Sequence, residues 1–252
     1  MKYLLILLVL CPFALFSQSF TIEYDVILNT LTRKGKLVKN INSESFYFEV
    51  QDEKKTDKQN MNEEGSFTKT IYLGNSKEKK RFQIYKEGDG SLINVDFLKD
   101  EKVIYSELFP RMNWKLENDT KTISNYMCNK AVIRFRGRNY IAWFTSDISA
   151  NIGPWKFNSL PGAILQVYDE TKAYSWTAIK IVKNEKEIKL EIEKNLEQLT
   201  HQQFVEKNET LKKERSKMML LKYLQRGADI VERKFNRGRE TEFEWEEEKE
   251  ED

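Results

Sequence analysis

Histidine, cysteine, proline and glycine are scarce in this sequence, and each scarcity argues against a class of protein. His201 is the only histidine among 252 residues, which argues against most zinc sites and against histidine-based catalytic triads. Four prolines and ten glycines are too few for a collagen-like or low-complexity chain. An excess of one charge is also lacking, because 42 lysines and arginines nearly balance 40 aspartates and glutamates. The composition therefore does not indicate nucleic-acid binding.

The one long apolar run lies at the amino end and is typical of a secretory signal peptide. Met1 and Lys2 give a positive start, residues 3–16 are almost wholly apolar, and Ser17-Gln18-Ser19 supplies small and polar residues. A membrane anchor is the alternative, but the run is shorter than the roughly 20 residues that a spanning helix needs. Lipidation at Cys11 is disfavoured because Leu10 is not a small residue. The sequence predicts cleavage of residues 1–18 and a location in the periplasm or at the cell surface, or secretion.

Cysteine chemistry is limited to one residue once the signal peptide is removed. Cys128 then has no partner for an internal disulfide. An unpaired cysteine in an exported protein is a free thiol, an intermolecular bridge or a buried small hydrophobe. We expect Cys128 to be buried and unreactive.

Most of the chain alternates apolar and polar residues with a period of two. About a dozen such runs occupy residues 19–195, and hairpin turn signals separate several of them. The pattern predicts a mainly β domain, formed by a curved antiparallel sheet that resembles a half-barrel. Residues 51–65 are polar and predict a mobile loop.

The period changes at the carboxyl side of this domain. Residues 196–236 predict a C-terminal helical segment with an apolar stripe, whose members are Leu211, Met218, Met219, Leu221 and Leu224. We expect this stripe to pack against the sheet, with a groove for a protein partner as the alternative. Residues 237–252 are acidic and predict a disordered tail, with folding back onto the basic surface as the alternative.

The segment from Cys128 to Tyr168 contains unusual motifs. They are Ala142-Trp143-Phe144, Gly153-Pro154-Trp155-Lys156-Phe157 and Leu160-Pro161-Gly162-Ala163-Ile164. With Trp114, this segment resembles the GLPGLI family of secreted Bacteroidota proteins. Ser159 and Ala163 depart from the family motif, which has glycine and leucine there. Because that family has no established activity, the resemblance implies an exported, β-rich protein and no particular reaction.

A long loop, residues 146–161, is the candidate ligand or partner site. Its candidate residues, with two neighbours, are Trp143, Asp147, Gly153, Pro154, Trp155, Phe157, Leu160, Pro161 and Gly162. Long loops in compact domains are often functional. The alternative is that Trp155 and Phe157 fill the core and the loop closes the open end of the sheet. Pro161 followed by Gly162 predicts a type II turn, with positive φ at the glycine.

The sequence contains few residue patterns that indicate catalysis, and no catalytic residue, metal ligand or cofactor is predicted. The favoured function is a non-enzymatic envelope protein that binds an apolar, lipid-like ligand or a protein partner, without spanning the membrane. A peptidase-like hydrolase and a structural or assembly factor are the alternatives. Arg134, Arg136 and Arg138 alternate along one strand face. We expect them to be solvated, with an anionic ligand or lipid headgroup as the alternative.

Overall fold

Twelve β-strands form one sheet in the computed structural model, which describes residues 19–41, 44–51, 81–184, 188, 190, 193, 195–224 and 237–247. The strands are β1 (Phe20–Leu28), β2 (Leu31–Lys39), β3 (Ser45–Gln51), β4 (Arg81–Lys86), β5 (Ser91–Leu98), β6 (Glu101–Leu108), β7 (Lys115–Ile123), β8 (Tyr126–Phe135), β9 (Arg138–Thr145), β10 (Ala163–Asp169), β11 (Tyr174–Lys183) and β12 (Glu197–Thr200). The helices are α1 (His201–Leu224) and α2 (Glu244–Glu247). Neither helix is long and apolar enough to cross a lipid bilayer.

The strand order is β12-β6-β5-β4-β3-β2-β1-β11-β10-β9-β8-β7. All neighbouring pairs within the described ranges are antiparallel except β12 and β6, which are parallel. Short hairpin connections explain this pattern for most pairs, whereas β12 arrives after a longer connection. The predicted mainly β architecture with a C-terminal helix is confirmed.

The sheet curves so strongly that residues from distant strands meet. Arg136 directly follows β8, and Glu107 lies on β6, with eight strands between them in the sheet order. Their side chains nevertheless form an ion pair, with Arg136 Nη2 2.9 Å from Glu107 Oε2. Sheet twist and coiling bring the two ends together and create a concave face. This curvature agrees with the predicted half-barrel.

The loop between β9 and β10, residues 146–162, fills the concave face. Trp155, Phe157 and Leu160 are almost completely buried in the main hydrophobic core. Backbone bonds hold the loop in shape, including Gly153 N–H to the carbonyl of Phe157 at 2.7 Å. Trp114 Nε1 donates to the carbonyl of Asn158 at 2.8 Å, which ties the loop to the segment before β7. The predicted alternative in which Trp155 and Phe157 fill the core is the arrangement observed.

Among the side chains that the structure describes, helix α1 packs against the sheet through its first half, and the predicted packing of Leu211 is confirmed. Thr200 and Gln203 form a capping box, in which each side chain bonds the backbone N–H of the other. Phe204 stacks on Tyr105 of β6, with ring centroids 4.2 Å apart. The predicted packing of the apolar stripe is wrong for Met218 and Leu221, which are 69% and 50% exposed. At that point the helix presents these two side chains to solvent instead of to a described strand.

The C-terminal segment, residues 237–247, lies along the turn between β8 and β9. Thr241 N–H donates to the carbonyl of Arg136 at 3.0 Å, and Tyr140 donates its hydroxyl to the carbonyl of Arg239 at 3.1 Å. Phe243 is buried. For these residues the structure shows an ordered segment instead of the predicted disordered tail, and the fold-back alternative is the one observed. The basic surface explains it, because acidic side chains of the segment pair with arginines there.

The arginines of the stripe are paired, and Arg134 alone keeps the expected solvation, with 62% of its side chain exposed. Arg134 forms a two-bonded pair with Glu242, at 2.8 and 2.9 Å. Arg138 bonds the carbonyl of Gly238 and lies 3.4 Å from the buried carboxylate of Asp169. The C-terminal segment therefore occupies the surface where an anionic ligand or lipid headgroup was the alternative.

Several sequence predictions fall on residues outside the described part of the chain. These are the signal peptide (1–18), the mobile loop (51–65 apart from residue 51), residues 225–236 of the helical segment and residues 248–252 of the tail. Cys128 is described, and its predicted burial is confirmed: the side chain is 0% exposed on β8. Burial raises the pKa of the thiol, which keeps it protonated at neutral pH.

The turn into β10 differs in detail from the predicted type II turn. Gly162 has a φ of +150°, and its N–H donates to the carbonyl of Leu160 at 2.8 Å, which closes a three-residue turn around Pro161. A Cβ atom at Gly162 would overlap the backbone carbonyl of Thr145. Glycine is therefore required by close backbone approach as well as by φ.

We expect Gly162→Val to lower the free energy of unfolding by about 3 kcal/mol or more. The new side chain would overlap the backbone of Thr145, and neither that backbone nor the backbone of residue 162 can move freely. Gly88→Val is the matched control, since a Cβ at Gly88 meets nothing within 4 Å. Pro161→Ala should cost about 1 kcal/mol or less, through the greater freedom of the unfolded chain. Urea unfolding measures all three, and equal stabilities of Gly162→Val and Gly88→Val would contradict the prediction.

Candidate functional site

A buried lysine lies at the centre of the loop that fills the sheet. The Lys156 side chain is 1% exposed, and its Nζ lies 2.6 Å from Glu107 Oε1 and 2.8 Å from Glu240 Oε1. An unpaired ammonium in this position would be very costly, so two carboxylates neutralise it. One carboxylate comes from β6 and the other from the C-terminal segment. The lysine therefore joins three distant parts of the chain.

Arg136 is the second cation of this cluster. Its guanidinium bonds Glu107, Glu240 and Glu244, and its side chain is only 6% exposed. Burial alone lowers the pKa of Arg136, but the carboxylates of Glu240 and Glu107 outweigh it and raise the pKa. Burial likewise raises the pKa of Glu240, yet the charges of Lys156 and Arg136 hold it well below its usual range. Both groups are therefore charged at neutral pH.

His201, the first residue of α1, completes the cluster. Its Nδ1 lies 3.3 Å from Glu107 Oε2, and its ring stacks on Tyr105 with centroids 5.4 Å apart. Burial, together with the positive charge of Lys156, lowers the pKa of His201 to about 4. The imidazole is therefore neutral at pH 7 and contributes no charge to the cluster. We call Lys156, Arg136, Glu107, Glu240 and His201 the buried ion cluster.

The cluster brings together three side chains of types that bind metals. Donor atoms of Glu107, His201 and Glu240 lie within 4.8 Å of one another. However, the ammonium of Lys156 lies within 2.8 Å of both carboxylates, and Arg136 pairs with both as well. Two side-chain cations thus supply the positive charge that a metal ion would bring. The arrangement fits a structural ion network and does not fit a metal site.

A cavity of about 280 Å³ lies beside the cluster, between the concave face of β3–β6, the start of α1 and the C-terminal segment. Its aromatic lining residues are Tyr47, Phe82, Tyr105, Trp155, Tyr174, His201, Phe204 and Phe243. Its cationic lining residues are Arg81, Lys212, Arg237 and Arg239. Its anionic lining residues are Glu49, Asp96, Glu209 and Glu240. The cavity is therefore polar, with aromatic walls.

Glu49 of β3 is the most buried charge in the cavity. Its residue is 3% exposed, and its Oε1 accepts bonds from Arg239 Nη1 at 2.9 Å, the Tyr47 hydroxyl at 3.1 Å and Trp176 Nε1 at 3.4 Å. Burial raises the pKa of Glu49, but the charges of Arg239 and Arg33 outweigh it and lower the pKa. The carboxylate is ionised at neutral pH.

Two residues of the cavity lining carry a buried side-chain oxygen without a hydrogen-bond donor. Glu49 Oε2 lies 3.9 Å from Arg33 Nη1, and Gln83 Oε1 is unpartnered while the Nε2 of that amide donates to Asn94 at 2.9 Å. Glu209 Oε1 differs, because Arg237 Nε lies 2.8 Å from it. Buried acceptors without donors cost stability, so Glu49 and Gln83 are the residues of the lining to examine for contact with a bound group.

The structure does not place the nine candidate residues from the sequence in one cavity, although Trp143, Trp155, Phe157 and Leu160 share the main hydrophobic core. Trp155 lines the cavity, where its ring stacks on Trp176 with centroids 5.7 Å apart. The other buried candidates lie in the protein interior outside the cavity lining: Trp143, Gly153, Pro154, Phe157, Leu160 and Gly162. Asp147 and Pro161 are exposed. The cavity residues Glu49, Gln83 and Arg239 were not predicted.

Removing the central lysine should expose the cost of an incomplete cluster. We expect Lys156→Met to lower the free energy of unfolding by about 3–5 kcal/mol, because Glu107 and Glu240 stay buried with too little positive charge. Lys130→Met is the matched control, since Lys130 also contacts two carboxylates, at 2.8 and 2.9 Å, but on the surface. There water replaces the lost pairing, and little change is expected. Denaturant unfolding measures the stability of both variants. Equal losses of unfolding free energy in the two would contradict this account.

His201 should make stability depend on pH above the range where carboxylates titrate. Its folded-state pKa lies below that of the unfolded chain, so the unfolded state binds the proton first and stability falls as pH drops from 6.5 towards 4. We expect a loss of about 2 kcal/mol between pH 7 and pH 5. His201→Phe keeps an aromatic ring and removes the titration. If urea unfolding gave both proteins the same pH dependence in this window, the assignment would be wrong.

Comparisons with known proteins agree with this fold. The family model described as "N-glycanase peptide, N-terminal domain" matches residues 76–206, slightly more than half of the chain. Two solved structures of PNGF-II, in C2 and P21 space groups, superpose with TM-scores of 0.51 at 16% and 14% identity. Each match covers 77% of this chain but only 33% and 34% of the PNGF-II chain.

The likeness to PNGF-II concerns the fold, since the chain spans about a third of the solved structures that it matches. No curated protein matches the sequence. The family model and the geometry together identify the domain type: this chain belongs to the family of N-glycanase peptide N-terminal domains.

Proposed function

We propose that this protein is an exported, non-enzymatic binding module of the cell envelope whose site is the polar cavity. The observation that carries the proposal is a polar cavity of about 280 Å³, whose lining residues Glu49 and Gln83 each carry a buried oxygen without a hydrogen-bond donor. The family description adds support, because it refers to an N-terminal domain of an N-glycanase. The resemblance to secreted GLPGLI proteins and the apolar amino end support export, either to the periplasm or to the cell surface.

The non-enzymatic assignment is supported by the charges of the cavity. Glycoside hydrolysis needs one carboxyl group that keeps a proton at working pH, beside a second that is ionised. Arg239 lowers the pKa of Glu49, and Lys156 and Arg136 lower that of Glu240. Both groups are therefore ionised and neither can act as the acid. The glycanase activity named in the family description would thus belong to other parts of the proteins that carry it.

The cavity also decides between ligand classes. An apolar ligand in the concave sheet, as expected from the sequence, has little room there, because Trp155, Phe157 and Leu160 already fill that face. The remaining cavity is lined by charged and amide side chains. Burying an apolar molecule against them would leave these groups without water or partners. A polar ligand is therefore favoured.

A protein partner is the second candidate, and the far half of α1 favours it. Met218 and Leu221 are exposed there, close to Leu220, which is also exposed. Exposed apolar side chains grouped in this way are common at protein interaction sites. This surface is separate from the cavity lining, so variants can distinguish the two sites.

Filling the cavity should abolish ligand capture without unfolding the domain. Asn208 lines the cavity from α1, so Asn208→Trp places a large ring there. Lys207→Trp is the control, because Lys207 is the exposed neighbour on the same helix. We expect native mass spectrometry of protein isolated from its own envelope to find a bound small molecule on wild type and Lys207→Trp, and none on Asn208→Trp.

Other outcomes separate the candidates. Equal ligand loads on all three proteins, or no load on wild type, would contradict the cavity as the binding site. Loss of a co-purifying protein in a Met218→Ser, Leu221→Ser double variant, with no effect of Asn208→Trp, would favour the second candidate.

A further inference from the structure

One stripe of helix α1 begins in the core and continues into solvent. Phe204, Leu211 and Met218 follow one another at intervals of seven residues, close to two helical turns, so they lie on one face. Phe204 is buried against Tyr105, Leu211 is half-buried in the same cluster, and Met218 is 69% exposed. The face that holds the helix to the sheet therefore reaches solvent at Met218.

The exposed apolar residues of α1 are not confined to that face. Residues 218–221 are Met-Met-Leu-Leu, and Met218, Leu220 and Leu221 are all exposed. Because each residue turns the helix by about 100°, Met218 and Leu220 lie on nearly opposite sides of it. Every described side chain from Glu214 to Leu221 is exposed. This part of the helix therefore presents apolar side chains to solvent in more than one direction.

Basic residues flank the apolar run. Arg215 and Lys217 precede it and Lys222 follows it, while residues 215–222 contain no acidic residue. The side chains of Arg215 and Lys217 are exposed. Glu214, the one acidic residue between Leu211 and Lys222, comes before this stretch. Exposed apolar residues among cations on a helix are typical of segments that bind anionic membrane surfaces.

The distribution of charge and apolar residues distinguishes between possible occupants. A symmetric pair of copies would bring two basic stretches together, and like charges repel. A protein partner that packs against one side of the helix would leave either Met218 or Leu220 in water. A lipid bilayer surrounds a segment that enters it, so apolar side chains on several sides become buried together. The cationic ends of lysine and arginine can at the same time reach the phosphate headgroups.

We infer that residues 214–222 of α1 bind the surface of an anionic lipid bilayer. Arg215 and Lys217 attract the phosphate headgroups, while Met218, Leu220 and Leu221 enter the boundary between headgroups and acyl chains. These residues lie outside the cavity lining. The inference therefore goes beyond the proposed function and does not depend on it.

The test is flotation of residues 19–252 with vesicles of two compositions. One is phosphatidylcholine alone, and the other is equal parts of phosphatidylcholine and phosphatidylglycerol. We expect binding to the anionic vesicles to be at least about tenfold stronger. In about 1 M NaCl this preference should disappear, because the Debye length falls to about 3 Å. Equal binding to both compositions at low salt, or binding to neither, would overturn the inference.

A double variant tests the role of the cations. We expect Arg215→Gln, Lys217→Gln to weaken binding to the anionic vesicles by about tenfold or more, because it removes two charges near the headgroups. Lys180→Gln, Lys183→Gln is the matched control, since it removes the same charge from exposed positions on β11. Thermal unfolding shows that both proteins remain folded. Equal binding by the two variants would overturn the inference.

A second double variant tests the apolar run. We expect Met218→Gln, Leu220→Gln to weaken vesicle binding by about tenfold or more, because it removes apolar area that the lipid would cover. Glutamine is a good helix former, so α1 should persist, and circular dichroism checks this. Leu116→Gln, Met127→Gln is the matched control, since those residues are 58% and 59% exposed on β7 and β8. Wild-type vesicle binding by Met218→Gln, Leu220→Gln would overturn the inference and leave a protein partner as the occupant.

Discussion

The neutralisation of Lys156 is the constraint on which the rest of the structure depends. The loop carries this lysine into the core between two buried aromatic residues, Trp155 and Phe157, so its ammonium cannot reach water. Glu107 must then approach from one end of the sheet and Glu240 from the C-terminal segment. Both contacts require a curved sheet and a C-terminal segment that packs against it. The cavity lies between these two parts of the chain. The charge of Lys156 also helps to keep the Glu240 carboxyl, which lines the cavity, deprotonated, and this links the packing of the core to the proposed binding role.

Much of the fold could be predicted from period-two alternation, because strands with one buried face record that face directly in sequence. The bounds of β1, β4 and β10 agree with the apolar alternation. The alternation does not reveal strand β2, because a strand is recognised by apolar residues on its inward face. In β2 this face includes Arg33 and Gly35. Gly35 leaves room for the Tyr47 side chain, while Arg33 serves Glu49. The polar residues that β2 contributes to the interior therefore remove the sequence pattern by which this strand could be predicted.

The site was harder to predict because its residues are distant in sequence and act through pairing. Two signals were nevertheless present. Lys156 is a single charge within an aromatic, turn-rich motif, which indicates a buried cation in need of partners. The alternating acids from Glu240 to Glu244 match the alternating arginines from Arg134 to Arg138. Partner identity could not be derived from these patterns alone, since long-range register depends on how strongly the sheet curves.

Because the C-terminal segment packs into the domain, the part of the chain that must fold together is larger than the part that matches the family model. The family model spans residues 76–206, yet Glu49 precedes this range and Arg239 and Glu240 follow it. A polypeptide cut to the homologous range would contain Lys156 and Arg136 with Glu107 as their one shared counter-ion from the cluster. Glu240 lies 84 residues after Lys156. All of this stretch must therefore be synthesised before the core can close. Closure of this domain is consequently a late, non-local event, because the last contacts of the core join residues that are far apart in sequence.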